Sequence, residues 1–186
     1  MESEGNERPE HYRSGGLVAG VIGIATAVGL VAFGVVSDRD GFAPWAFPLL
    51  LAFGVLSWAI LIRPAVLLHR DELELRNVLH SQWIPFARID DVQVKQVTKV
   101  HVGDQTYVAA GLGRSRRAIH HDARAGQDGG REQYSLGWLV EEKVRRRMNP
   151  HDAVTDPAPV RRTWAVPEIA ALAVFAVALV IALLVG

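Results

Sequence analysis

Two rhythms of hydrophobicity divide this 186-residue chain. Gly15 to Val36 and Phe42 to Ile62 carry no charge, and a third apolar run, Trp164 to Gly186, has 18 uncharged residues from Ile169 onward. A helix needs about 20 apolar residues to cross the hydrocarbon core of a bilayer, so each run is of spanning length, the third once Trp164 to Val166 are counted at the interface. The first two are separated by the polar turn Ser37 to Gly41 and predict a transmembrane helical hairpin. In the first run Gly16 with Gly20, and Ala19 with Gly23 and Ala27, recur at helical spacing, which permits close backbone approach to a neighbouring helix. Packing within the chain is the expected use, with a dimer face as the alternative. Pro44 suits a first helical turn, whereas Pro48 falls deeper and predicts a local kink.

Between the second and third runs the period changes. From Val66 to Val94 apolar and polar residues alternate, at Leu73 and Leu75 and again at Val92 and Val94, the period of two that lines one face of a sheet. Val66 to His69 and Glu72 to Val78 read as strands joined by a polar turn. Pro85 has no N–H for a ladder and ends a third strand that carries Trp83 and Ile84. Phe86 and Ile89 stand three apart, so a single helical turn lays both on the sheet. A long strand from Asp91 to His101 follows, and its valines slip phase by one between Val94 and Val97, the mark of a bulge or strong bend. Gly103-Asp104 supplies a turn, and Gln105 to Ala110 a fifth strand.

Residues 111–133, rich in glycine and arginine, predict a long loop with room for a short strand at Ala118 and Ile119. Tyr134 to Met148 is an amphipathic helix with Leu136, Leu139, Val140, Val144 and Met148 on one face, its acidic residues preceding its basic ones as the helix dipole favours. The expected organisation is a disordered cytoplasmic tail (1–14), a transmembrane hairpin (15–62), an α+β domain (63–150), a proline-bearing linker (151–163) and a third transmembrane helix (164–186).

The strand Asp71 to Val78 (D-E-L-E-L-R-N-V), the turn Ile84 to Ile89 (I-P-F-A-R-I) and the valine-rich strand after it resemble the short bacterial PH-like domain of actinobacterial membrane proteins, associated with the low-molecular-weight protein antigen family. The resemblance covers Arg63 to Ala109. It implies a small antiparallel β domain plugged at one end by the amphipathic helix, and it brings no catalytic motif. A complete PH-type barrel has seven strands, of which five are legible here.

Composition adds exclusions. Cysteine is absent, which removes disulfides, thiolate zinc sites and iron–sulfur ligation. The net charge is zero, and residues 63–163 hold 17 of the 20 Lys and Arg against 13 of the 20 Asp and Glu, an excess of four that is far from the basic stripe of a nucleic-acid binder. Charge also sets the expected orientation. Arg63, Arg70 and Arg76 follow the hairpin, Arg161 and Arg162 precede the last run, Arg8 and Arg13 precede the first, and only Arg39 lies in the opposite loop. By the positive-inside rule the tail and the domain are cytoplasmic in a multi-pass cell-membrane protein. Residues 1–14 lack the basic start of a secretory signal.

Arg114, Arg116 and Arg117 in G-L-G-R-S-R-R form the candidate anion contact, because guanidinium groups pair bidentately with phosphate and the glycines free the backbone to approach a ligand. A solvated loop is the plainer alternative. His120-His121-Asp122 lacks a third ligand at metal-site spacing and is expected to be loop surface. His69, His80 and His101 lie at strand ends, where satisfying backbone groups is their expected use, and Asp90-Asp91 and Glu141-Glu142 read as solvated faces. Trp83 is either core or an exposed aromatic that meets a partner. No phosphate-binding loop, nucleophile elbow, zinc helix or dinucleotide fingerprint is present, so neither an enzyme nor a cofactor or metal is expected. The expectation is a membrane-held PH-like module that presents a sheet edge or loop to a protein partner, with anionic-lipid reading through Arg114 to Arg117 as the alternative.

Overall fold

The computed structural model describes residues 9–13, 15–37, 42–128, 134–148 and 158–185. In chain order its elements are β1 (Glu10–Tyr12), α1 (Leu17–Val36), α2 (Ala46–Ser57) with a π-helical turn (Trp58–Ile62), β2 (Ala65–Leu68), β3 (Glu72–Arg76) and β4 (His80–Pro85). A 3-10 turn (Phe86–Arg88) leads to β5 (Asp91–Val94), β6 (Thr98–Val102), β7 (Gln105–Ala109), α3 (Arg116–Asp128), α4 (Leu136–Arg147), β8 (Arg161–Trp164) and α5 (Val166–Val185). The chain divides into two compact units, Met1–Ser14 with Pro64–Thr163, and Gly15–Arg63 with Trp164–Gly186.

The second unit is helical. Both α1 and α5, 20 residues each, are long and apolar enough to cross a membrane, while the apolar stretch Ala46–Ile62 is shorter. α1 packs on α2, and α2 on α5. The glycine spacing of α1 is used inside the chain: a Cβ on Gly16 would meet the Leu61 carbonyl at 2.6 Å, on Gly20 the Ile62 side chain at 2.5 Å, and on Gly23 the Ser57 hydroxyl at 2.6 Å. Ala19 of the same pattern is exposed. The kink expected at Pro48 has no cause, because α2 begins at Ala46 and Pro48 sits in its first turn, where backbone N–H groups have no intrahelical acceptor. The helix is irregular at its other end, where Arg63 N–H donates to Trp58 O at 2.9 Å, one residue beyond the α-helical spacing. The Arg63 side chain pairs with Glu168 in the first turn of α5 at 2.9 Å, both largely buried.

The first unit is α+β, with two antiparallel sheets among the described residues, ordered β1-β2-β3-β4-β8 and β5-β6-β7. In the first sheet Val66 lies opposite Leu75 and Leu73 opposite Ile84, and these side chains face the core. In the second, Val92 lies opposite Val100 and adds the facing layer. Phe86 and Ile89, set by the 3-10 turn, close one end, and Val140 and Val144 of α4 close another.

Four expectations change here. The expected long strand Asp91 to His101 is a hairpin, with β5 and β6 paired from Asp91 opposite His101 to Val94 opposite Thr98, so the phase slip at Val97 marks a reversal rather than a bulge. The expected loop 111–133, with its strand at Ala118 and Ile119, contains α3. Ser115 accepts from the Ala118 N–H at 3.2 Å, and the arginines and alanines that follow are strong helix formers. Part of the expected tail 1–14 is β1, paired with β2 from Glu10 opposite Leu68 to Tyr12 opposite Val66; residues 1–8 lie outside the described residues. The expected linker 151–163 ends in β8, and its residues 151–157 likewise lie outside.

Candidate functional site

Arg114 does not face solvent. Its side chain is 11% exposed and holds three acceptors: Nε donates to Val94 O, Nη1 to Asp122 Oδ2 at 3.2 Å, and Nη2 to Glu141 Oε2 at 2.5 Å. The arrangement starts from two glycines. A Cβ on Gly113 would run into the backbone of Gln96, and one on Gly137 would lie 2.5 Å from Arg114 Cγ and 2.9 Å from Val94 Cγ1. The glycines thus let the 113–114 segment and α4 close on the hairpin tip, with the guanidinium tying β5, α3 and α4 together. Asp122 also accepts from the Ser135 N–H at 2.8 Å and from its hydroxyl at 2.5 Å, and that hydroxyl in turn accepts from the Trp138 N–H and caps α4. Burial alone would push the Asp122 carboxyl up; the bonds from Ser135 and Arg114 outweigh it and hold the group below its ordinary value of 3.8. Arg114 is therefore a structural clamp, and its role as an anion contact is corrected. Glu141 belongs to the same clamp rather than to a solvated face.

Arg116 and Arg117, at the start of α3, are exposed. Arg117 lines an open hollow of about 310 Å³ together with Ser115, Ala118, His121, Asp122 and Ser135. His120 and His121 are exposed on α3, and among the described residues no group of three or more His, Asp or Glu side chains is arranged to hold a metal ion. His69 and His101 bond side chains rather than backbone groups, with His69 Nε2 at 3.3 Å from Glu74 Oε2 and His101 Nδ1 at 3.0 Å from Thr106 Oγ1.

Trp83 is neither core nor free. It is half-buried on the sheet face away from the core, with the His69 ring 4.9 Å from its own and the Arg161 guanidinium 5.7 Å above it. Its Nε1–H donates to Thr163 Oγ1 at 3.3 Å. Arg161 Nη2 reaches both carboxylate oxygens of Glu72, at 2.9 and 2.7 Å. Beside Trp83 across the ladder stands Glu74, 2% exposed, which accepts from Arg76 at 3.0 and 3.1 Å. Burial would raise this carboxyl, but the Arg76 contacts, with His69 and Ser81, hold it below its ordinary value of 4.5. The sequence reading passed over Glu74; its signal was a carboxylate flanked by two core leucines with an arginine two residues on.

The sheet edges are largely closed by side chains. Along β5, Val94 N–H donates to Glu141 at 3.0 Å, Val94 O accepts from Arg114 and Val92 O accepts from Arg145 at 3.3 Å. Asn77 brackets the end of β7, donating to Val108 O at 2.9 Å and accepting from Ala110 N–H at 3.3 Å. β1 is held to α4 by Glu10 with Lys143 at 2.6 Å and Arg147 at 3.3 Å, and by Lys143 with the Tyr12 hydroxyl at 2.9 Å.

One apolar surface stands outward. The stripe expected to face the core from α4 is split: Val140 and Val144 are buried, whereas Leu136 and Leu139 are 47% and 46% exposed. The Tyr134 and Trp138 rings stack on each other at 3.8 Å. Comparisons with protein-family models, with curated proteins and with solved structures return no match to this chain.

Proposed function

We propose that this chain is an integral membrane protein with three spanning helices whose PH-like domain, on the cytoplasmic side, is a scaffold that docks a protein partner. The observation that carries the reading is the outward apolar pair Leu136 and Leu139 on α4. A soluble-domain helix that is apolar on two sides has one side for its own core and one for another molecule. The PH-like assignment is supported by two small antiparallel sheets and a helix, after β7 in the chain, that packs into their core. Three spans follow if Ala46–Ile62, 17 residues long, crosses with its neighbours, and a short span is accommodated by local thinning of the bilayer. The arginines beside the helix ends support a cytoplasmic domain. The test is photocrosslinking from position 139 of the full-length chain in native membranes. A discrete protein captured there, and lost with Leu136→Glu, supports the scaffold; capture of lipid alone defeats it.

The second reading, recognition of an anionic headgroup, is favoured by one observation: Arg116 and Arg117 are both exposed, and Arg117 lines an open hollow. Arg114 has no part in it. This reading predicts that Arg116→Glu with Arg117→Glu lowers affinity of the detergent-solubilised full chain for a water-soluble phosphoinositide headgroup, and unchanged affinity removes it.

A further inference from the structure

We propose that the outer edge of β4 is an arginine-reading strand site for an extended partner segment, and that β8 occupies it in cis. This rests on the scaffold reading and adds a second contact to it. Two groups that recognise a guanidinium together meet the strand that lies there, the aromatic face of Trp83 on β4 for cation–π contact and the carboxylate of Glu72 on the neighbouring β3 for charge-assisted hydrogen bonds. Both are engaged: Arg161 spans the Glu72 oxygens at 2.9 and 2.7 Å with its guanidinium 5.7 Å from the Trp83 ring. Thr163 takes the indole N–H of Trp83 at 3.3 Å, so an arginine and, two residues on, a hydrogen-bonding side chain fall on the same side of an extended strand.

β8 is suited to be exchanged. All four of its residues are exposed, so it is held by ladder bonds and polar contacts rather than by its own burial; its apolar anchors flank it, Val160 packed against the core just before the strand and Ala165, 3% exposed, just after. One residue, Ala165, separates β8 from α5. The β5 edge and part of the β7 edge are closed by side chains, which leaves the β4 edge, once β8 leaves, with unoccupied ladder groups and a side-chain code. The partner that fits is an extended segment with an arginine and, two residues later, a side chain that accepts from an indole N–H.

The test uses the full-length chain in detergent and a labelled peptide of residues 158–165 (A-P-V-R-R-T-W-A) carrying a photoreactive group at the position of Thr163. The variant R161E/T163P opens the edge, by repulsion from Glu72 and by removing a strand N–H. It is expected to bind the peptide at least tenfold tighter than the unaltered chain, with crosslinks on β4. Adding Glu72→Arg abolishes binding, and a peptide with glutamate in place of Arg161 restores it. Peptide binding no tighter to the opened variant, or unaffected by Glu72→Arg, overturns the proposal. Hydrogen exchange on the unaltered chain gives an answer independent of how the variants fold: β8 amides exchange at least tenfold faster than β3 amides, and equal protection overturns displacement. Peptide binding with no capture at position 139 retains this edge and removes the α4 reading, whereas capture at 139 without peptide binding does the reverse.

Discussion

Replacing Arg114 by Met keeps the aliphatic stem that packs near Gly137 and removes the guanidinium fork. Asp122, at 4% side-chain exposure, then loses its cation, and Glu141, at 14%, loses one of two, keeping Arg145 at 3.0 Å. Breaking a buried ion pair from one side costs roughly 3–5 kcal/mol, because the remaining charge is uncompensated. Asp122 keeps two bonds from Ser135, and Glu141 keeps the Val94 N–H and Arg145, so the low end applies, about 3 kcal/mol. That is on the order of a hundredfold in an opening equilibrium.

The loss is local to β5, α3 and α4, so native-state hydrogen exchange of the full chain in detergent resolves it: amides of β5 and α4 exchange about a hundredfold faster, whereas β2 and β3 change little. Arg114→Lys retains the charge but not the fork and falls between. Arg116→Met and Arg117→Met, on exposed side chains, stay within about 0.5 kcal/mol of the unaltered chain. An Arg114→Met chain with β5 and α4 exchange within threefold of the unaltered protein would refute the clamp and return Arg114 to the candidate anion contacts.

Acid is a second probe. Asp122 and Glu74 titrate below their ordinary values of 3.8 and 4.5 in the folded chain, so the stability they contribute is complete above those values and drains away as pH falls through the lower folded ones. Melting temperature in detergent is therefore expected to drop steeply below about pH 4.5; a domain more stable at pH 3.5 than at pH 6 contradicts it. Lys143, raised above its ordinary 10.5 by Glu10 and Tyr12, contributes in the opposite sense, its share present below that value and lost as pH rises through the folded one, and alkaline exchange of β1 amides reports it. Glu74→Gln loses the charged half of the Arg76 pairing and costs about 2 kcal/mol in a urea titration; a neutral result makes Glu74 a bystander. Gly137→Ala gains helix propensity of about 1 kcal/mol but sets a Cβ 2.5 Å from Arg114 Cγ, and overpacking of about 1–3 kcal/mol makes the net a loss.

How far the fold could be read from the chain depended on whether the deciding interaction was local. The alternation at Leu73 and Leu75, the Pro85 stop and the Phe86–Ile89 turn are encoded within a few residues, and they were legible. The β5–β6 reversal was not, because no Gly or Asn marks Lys95 to Val97; the turn is held by Lys95 N–H to Val97 O at 3.1 Å and by Arg114 N–H to Lys95 O at 2.5 Å, the second contact nineteen positions away. α3 was hidden because glycines on both flanks dominate the composition of 111–133 while Ser115 and the arginine–alanine core decide the conformation. Of the three candidate anion contacts, Arg116 and Arg117 are exposed on α3. Arg114 looked the same in sequence, since its partners Asp122 and Glu141 lie 8 and 27 positions on. Trp83 was offered as core or partner contact, and the segment that covers it is 80 positions away.

The same long-range assembly bears on the boundaries of the domain. Four residues separate β1 from α1, two separate the π-helical turn from β2, and one separates β8 from α5. Each apolar helix is thus joined in sequence to a strand of one five-stranded sheet, and the two edge strands come from segments that by composition read as tail and linker. A fragment cut at 63–150, the boundaries that composition suggests, lacks both edges. It exposes the β2 ladder opposite Glu10 to Tyr12 and the β4 ladder beneath β8, and it loses Tyr12 and Val160 from the margin of the core. Unpaired edges recruit other chains, so the fragment is expected to sediment as oligomers at micromolar concentration, whereas residues 9–13 joined by a short linker to 64–165 are expected to remain monomeric. A monomeric 63–150 fragment with the thermal stability of the extended one would mean that β1 and β8 are ornaments on a self-sufficient core, and the exchange of β8 proposed above would then have no structural consequence.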